Sequence, residues 1–270
     1  MPELPEVETT RRGITNLLAG QYLTDFVVRN PNFRWPVEVP DSLRGQQLQS
    51  ISRRGKYLLF RFEIGTLIVH LGMSGSLRVV TSVDQPRTHD HIDWYFQNER
   101  ILRFNDPRRF GSVHWTEQSP LRHKLLRSLG PEPLGEGFTA KYLYQRSRQK
   151  TQAIKNFLMD SHIVVGIGNI YANEVLFRAR IKPTTAAGSI ATVRLNRIIT
   201  ATKEVLNEAI SVGGTTLRDF VGSNGEPGYF SQELFVYGRA SQPCLVCNHK
   251  LKGIVLGQRQ TVYCPRCQRR

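Results

Sequence analysis

The sequence predicts an α+β chain in three parts: a β-rich N-terminal half, a helical segment and a small C-terminal metal module. Three observations carry this. From Tyr57 to Phe104 the chain runs through short β-branched and aromatic stretches broken by Gly, Asn or Pro, which is how half-buried strands read. After Ala153 the apolar residues change to helical spacing. After Pro243 come all four cysteines of the chain, in two Cys-x2-Cys pairs.

Taken in order, Leu4, Val7, Ile14, Leu17 and Leu18 keep the spacing of one helix face, with Glu3, Glu6 and Glu8 at its start, where the helix dipole favours anions. Gly20 closes that helix. Tyr57–Phe62, Thr66–Val69, Ile92–Phe96 and Ile101–Phe104 read as strands, and many short strands with little helix imply a β-sandwich or barrel. Gly130-Pro131-Glu132-Pro133-Leu134-Gly135 breaks any element and reads as a linker. Ala153, Phe157 and Leu158 begin a helical run. Ile198, Thr202, Val205, Leu206, Ala209 and Ile210 form an amphipathic helix stopped by Gly213-Gly214. The expected division is 1–130, a linker at 131–137, a helical domain at 138–236 and a metal module at 237–270.

Two hundred and seventy residues suffice to fold without covalent staples. Lys and Arg total 37 against 22 Asp and Glu, a net +15 that points to a polyanionic partner. The excess is clustered. Between Glu136 and Asp160 every ionised residue is basic (Lys141, Arg146, Arg148, Lys150, Lys155), and after Glu233 seven basic residues follow with no acid. Such runs suit a surface that tracks phosphates better than one that is merely soluble. A hydrophobic content of 40 % excludes a disordered basic tail. No run approaches 18 apolar residues, and the acidic start is wrong for a signal peptide. The expectation is a soluble, cytoplasmic chain.

Cys244, Cys247, Cys264 and Cys267 form two pairs separated by sixteen residues, a spacing that brings four thiolates into one tetrahedron. With no open position the zinc is expected to be structural, one ion per chain, holding the hairpin Leu251 to Val262 with Arg259 near its tip. Gly166-Ile167-Gly168-Asn169 places two glycines before a helical run. It is either a plain turn or a phosphate seat at a helix N-terminus.

Pro2-Glu3-Leu4-Pro5-Glu6 reads blandly as a helix start. It also offers chemistry. If the initiator Met1 is removed, Pro2 presents a secondary amine whose pKa, about 7.7–8.0 for an α-amino group, leaves a reactive fraction near neutrality. Amines attack carbonyl-like carbons to form Schiff bases. A secondary amine gives an iminium that cannot lose an N–H proton and stays cationic. Glu3 stands beside it as the acid.

Taken together, Met1-Pro2-Glu3-Leu4-Pro5-Glu6-Val7-Glu8-Thr9, His70-Leu71-Gly72-Met73-Ser74-Gly75, Asp106-Pro107-Arg108-Arg109-Phe110-Gly111, Gly168-Asn169-Ile170-Tyr171-Ala172 and the cysteine end resemble bacterial formamidopyrimidine-DNA glycosylase along the whole chain. The resemblance implies an N-terminal catalytic β-sandwich with flanking helices, a helix–two-turn–helix DNA-binding domain and a zinc finger. It implies a monomer acting on damaged double-stranded DNA in base excision repair. That enzyme is a bifunctional glycosylase and AP lyase that removes 8-oxoguanine and formamidopyrimidines and then cleaves the strand by β,δ-elimination. Carried over by motif, Pro2 is the nucleophile, Glu3 the proton donor, and Lys56 and Arg259 assist β- and δ-elimination. His70, His89, Lys150, Asn169 and Tyr237 match DNA contacts. Met73, Arg108 and Phe110 match residues that fill the hole left by an extruded base, with Arg108 also facing the orphaned cytosine. Leu217 to Tyr229 resembles the loop that closes over an extruded purine. Two other readings stay open: an endonuclease VIII-type enzyme for oxidised pyrimidines, and a zinc-ribbon DNA-binding protein without catalysis.

Overall fold

A computed structural model describes residues 2–213 and 234–269 of the chain. These fall into two compact units, one built on residues up to Arg127 and one on Ser128–Ser211 with the described residues after 233.

In the first unit the expected helix forms as α1 (Leu4–Leu18). Glu3 is its N-cap, and the Glu6 carboxylate accepts the Glu3 backbone N–H at 2.8 Å in a capping box. Leu4, Val7, Ile14 and Leu18 are fully buried, each contributing about 1.5–3 kcal/mol by leaving water. On the helix flank, Glu8 accepts hydrogen bonds from Arg11, Arg12 and Arg53. Burial alone would raise its carboxyl pKa, but the arginines outweigh it and hold the group at about 2.

Eight strands follow: β1 (Leu23–Val28), β2 (Ser50–Arg54), β3 (Tyr57–Arg61), β4 (Thr66–His70), β5 (Ser76–Thr81), β6 (Asp90–Phe96), β7 (Arg100–Asn105) and β8 (Ser112–Thr116). The sequence reading found β3, β4, β6 and β7 to within two residues at each end. They make two antiparallel four-stranded sheets, ordered β1-β6-β7-β5 and β2-β3-β4-β8. Leu58, Phe60, Leu67 and Val69 of one sheet and Ile92, Trp94, Leu102 and Phe104 of the other share a core that α1 also enters through Val7, Ile14 and Leu18. This is a β-sandwich with a helix against it.

The second unit holds α2 (Ala140–Ser147), α3 (Ile154–Met159), α4 (Asn169–Arg178) and α5 (Thr192–Ser211), then the hairpin β9 (Lys252–Leu256) and β10 (Arg259–Tyr263). The Thr139 hydroxyl caps α2 by accepting the Tyr142 N–H. Leu195, Ile198, Val205, Leu206 and Ala209 bury the inner face of α5 as their spacing requires. The hairpin turns on two residues, because Leu256 pairs with Arg259. Both turn residues have positive φ, Gly257 at +55° and Gln258 at +59°, the form that matches strand twist.

Candidate active site and nucleic-acid interface

The topology of the first unit gathers the sequence-predicted residues on one rim. Two of the three places where the chain crosses from one sheet to the other lie between β4 and β5 and between β7 and β8. His70 pairs with Ser112 and Ser76 with Asn105, so these two crossings run side by side. One carries Met73 and the other Arg108 and Phe110. Asp90 also pairs with Asn105, which puts His89 at the same end. Tyr57 pairs with both Arg54 and His70, so the β2–β3 turn that carries Lys56 lies there too. Along α1, Arg11 reaches the Ile51 carbonyl and Glu8 reaches Arg53. The helix thus runs antiparallel to β2, and its N-terminus, with Pro2 and Glu3, extends toward the same rim. Pro2 and Glu3 are both buried.

The two crossings touch. Gly72 has φ +64°, and a Cβ there would lie 2.4 Å from the Phe110 carbonyl carbon and the Gly111 nitrogen, so only glycine permits this approach. Asp106, fully buried, accepts the Ser74 hydroxyl at 2.7 Å and the Gly111 N–H at 2.8 Å. The Ser74 oxygen in turn accepts the Arg108 N–H at 3.3 Å. On this base the Arg108 guanidinium stacks 4.9 Å from the centre of the Phe110 ring, and Phe110 is 43 % exposed. An exposed aromatic on a rigid turn is unlike the core packing that its composition alone would favour. Met73 is half-buried on the neighbouring turn.

His70 Nδ1 accepts the Gly72 N–H at 3.0 Å, so the neutral ring carries its proton on Nε2. Burial, then the positive charge of Lys56 and of His114, lowers its pKa to about 4. His70 is therefore a neutral hydrogen-bond donor at physiological pH, and Lys56 lies within its electrostatic reach. His89 takes φ +73°, and its carbonyl accepts the Asp106 N–H at 3.0 Å. Its backbone is thereby tied to the base of the Arg108 turn, and the residue is exposed.

In the second unit α4 is the hub. Gly168 is its N-cap and Asn169 its first residue. The Asn169 Oδ1 accepts from Lys155 Nζ at 2.5 Å, which leaves the side-chain NH2 as the donor at a helix N-terminus. Lys155 also donates to Thr261 Oγ1 at 2.7 Å and to the Gln260 carbonyl at 3.1 Å. The Asn173 Oδ1 accepts the Val262 N–H at 2.8 Å. The hairpin that presents the exposed Arg259 is thereby fixed to the helix that presents Asn169. Glu174, buried, accepts the backbone N–H groups of Phe235, Val236 and Tyr237 at 2.8–3.0 Å and so holds Tyr237 beside α4. Burial raises the Glu174 pKa against those three bonds. Lys150 is exposed after the end of α2, where Gly188 donates to its carbonyl.

Lys155, Asn173 and Glu174 are the organising residues that sequence reasoning missed. Lys155 counted only as one of a basic cluster, yet it is 0 % exposed. The expected closing loop, Leu217 to Tyr229, lies outside the described residues.

The four cysteine sulfurs all lie within 4.8 Å of one another, with Cys244–Cys267 at 4.0 Å and Cys247–Cys264 at 3.4 Å. Sulfurs bound tetrahedrally to zinc stand about 3.8 Å apart. The four residues fit one zinc ion with no open position, so the metal braces the fold and takes no part in chemistry. Around them Val236, Leu251 and Val262 form a small core of their own.

Comparison with known proteins agrees with this construction along the chain. Residues 1–113 match the formamidopyrimidine-DNA glycosylase N-terminal domain, 129–221 the formamidopyrimidine-DNA glycosylase H2TH domain, and 241–270 the zinc finger found in FPG and IleRS. Formamidopyrimidine-DNA glycosylase of Cellvibrio japonicus is 55 % identical over 270 residues, covering 99 % of this chain and all of that protein. Its counterpart in Marinobacter nauticus is 54 % identical over the full length of both. Among solved structures, the MutM (Fpg) protein of Thermus thermophilus superposes with a TM-score of 0.89 at 37 % identity, covering 99 % of this chain and 98 % of that one. Lactococcus lactis Fpg, in complex with DNA containing an abasic site, gives 0.89 at 33 % identity, covering 99 % and 100 %. With its sandwich, its α4-centred helical unit and its four-cysteine finger, the chain belongs to the formamidopyrimidine-DNA glycosylase family of DNA-repair enzymes.

Proposed function

We propose that the chain excises oxidised purines, 8-oxoguanine and formamidopyrimidines, from duplex DNA and then cleaves the strand at the abasic site. The observation that carries this reading is the single rim of the sandwich, on which Pro2, Glu3, Lys56 and His70 share an end with the Met73 turn and the Arg108–Phe110 turn. Chemistry on a base requires it to leave the stack. Residues able to fill the vacated space belong beside the nucleophile, and this rim supplies both.

In the proposed sequence, the Pro2 nitrogen, freed by loss of Met1, attacks C1′ of the damaged nucleotide as the C1′–N9 bond breaks. Glu3 manages the proton transfers that release the base and open the sugar. The resulting iminium withdraws electrons from C2′, where loss of a proton expels the 3′ phosphate. Lys56 assists that β-elimination, and Arg259 assists the δ-elimination that releases the 5′ phosphate. His70 and Asn169 serve as neutral donors to phosphate, while His89, Lys150 and Tyr237 add further contacts. Arg108 hydrogen-bonds the orphaned cytosine, with Met73 and Phe110 filling the gap. The enzyme works as a monomer in the bacterial cytoplasm. The formamidopyrimidine in the name of its relatives and the abasic DNA bound by the Lactococcus lactis protein support the substrate class.

The test is excision from otherwise identical duplexes containing 8-oxoguanine or thymine glycol opposite their normal partners. Preference for 8-oxoguanine is expected. Preference for the oxidised pyrimidine would move the enzyme to the endonuclease VIII type, and binding without excision of either would leave only a DNA-binding protein.

A further inference from the structure

We propose that Asp106, acting through Ser74, is a positioning residue that sets the spacing of Met73, Arg108 and Phe110 and thereby the preference for lesions in duplex DNA. The inference rests on the void-filling reading of those three side chains and adds to it the group that holds them in register.

The basis is the way Asp106 is used. Its carboxylate is 0 % exposed, and a buried carboxylate is costly unless its oxygens are satisfied. Here each oxygen is satisfied from a different side. Oδ1 takes the Ser74 hydroxyl, one residue after Met73, and Oδ2 takes the Gly111 N–H, one residue after Phe110. The main chain is committed as well: the Asp106 N–H donates to the His89 carbonyl, and its carbonyl oxygen lies 3.0 Å from His91 Nε2. Ser74 completes the link by accepting the Arg108 N–H. One residue thus joins these two sheet crossings through its side chain, and the segment that carries His89 through its backbone. Two turns that each carry a wedge would otherwise move independently, and ordering them on DNA would cost conformational entropy. Pre-organised turns avoid that cost only when there is a duplex to wedge.

The test uses the full-length zinc-loaded enzyme with Ser74→Ala, which removes the hydroxyl from Asp106 and the acceptor from Arg108 without emptying the carboxylate site. Two substrates are compared: 8-oxoguanine opposite cytosine in duplex, and a single-stranded oligonucleotide with a preformed abasic site, which has no stack to fill. Loss of a hydrogen bond to a charged group predicts about a tenfold fall in duplex kcat/KM, with single-strand nicking within about twofold of the parent. In a Phe110→Ala background the same change should cost much less, since interacting sites are not additive. Equal loss on both substrates, full duplex activity, or full additivity with Phe110→Ala would overturn the proposal. Met73→Ala and Phe110→Ala alone test the reading beneath it. If neither slows duplex excision, the void-filling assignment itself fails. If both do and Ser74→Ala does not, only the role of Asp106 fails.

Discussion

Replacing Lys155 with methionine tests how the second unit presents Asn169. The ammonium group makes three hydrogen bonds, to Asn169 Oδ1 at 2.5 Å, Thr261 Oγ1 at 2.7 Å and the Gln260 carbonyl at 3.1 Å. At about 1.5–3 kcal/mol for each bond from a charged donor, the gross loss is about 5–9 kcal/mol. Removing a buried charge returns several kcal/mol of dehydration cost. The net destabilisation expected is about 2–4 kcal/mol. It should fall on the second unit, where α3, α4 and β10 lose their common tie. All three tryptophans, Trp35, Trp94 and Trp115, lie in the first unit, whereas α2 to α5 lie in the second. In urea, helical circular dichroism should therefore shift its midpoint more than tryptophan fluorescence does. DNA affinity should fall about tenfold on every sequence, because Asn169 loses the partner that orients its amide. The slope of log affinity against log salt should not change, since a fully buried lysine neutralises no phosphate. A slope reduced by about 1 would show that Lys155 contacts DNA directly and refute this role. An unmoved circular dichroism midpoint would refute the structural part.

Gly72→Ala should be far more damaging than its single methyl suggests, because the new Cβ meets the Phe110–Gly111 backbone at 2.4 Å; nicking of the 8-oxoguanine duplex should fall more than about tenfold, and near-normal activity would contradict the close approach. Metal analysis should find one zinc per chain, and Cys264→Ser should release the hairpin and abolish DNA binding while tryptophan fluorescence reports an intact sandwich. His70 should titrate near pH 4 by NMR. The unfolded chain takes up that proton near 6.5 and the folded chain does not, so this histidine lowers stability as pH falls from 6.5 toward 4 and adds no pH dependence above that window. A folded-state value near 6.5 would contradict its burial.

The parts legible in the sequence were those with local signals. Short β-branched and aromatic runs between Gly, Asn or Pro marked β3, β4, β6 and β7, helical spacing marked α1 and α5, and the cysteine spacing marked the metal site. What was not legible depends on partners distant in the chain. Asp90 and Asp93 of β6 and Arg103 of β7 carry charge within strands, yet all three are buried. Arg103 and Arg29 bind Asp93, and Arg78 binds Asp90, so mutual neutralisation makes burial tolerable where any one charge alone would forbid it. Lys155 follows Ile154 in a six-residue helix whose apolar positions gave no sign that the lysine would be enclosed, because its acceptors come from Asn169 and from the hairpin more than a hundred residues on. The gathering of Lys56, His70, His89 and Phe110 on one rim likewise comes from strand pairing, which a linear sequence does not display. The resemblance supplied those residues, and the two sheet crossings supply the reason they meet.

The identity of the nucleophile is tested most directly by reducing the covalent intermediate with borohydride on an 8-oxoguanine duplex and mapping the adduct by mass. Enzyme lacking Met1 should be trapped in high yield, with the modified peptide beginning at Pro2 and the sugar remnant on its nitrogen. Enzyme confirmed by mass to retain Met1 should bind the same duplex and form no adduct, because an amide nitrogen has its lone pair delocalised into the carbonyl. An adduct mapped to the peptide containing Lys56, or full trapping of the Met1-retaining form, would contradict the assignment of Pro2.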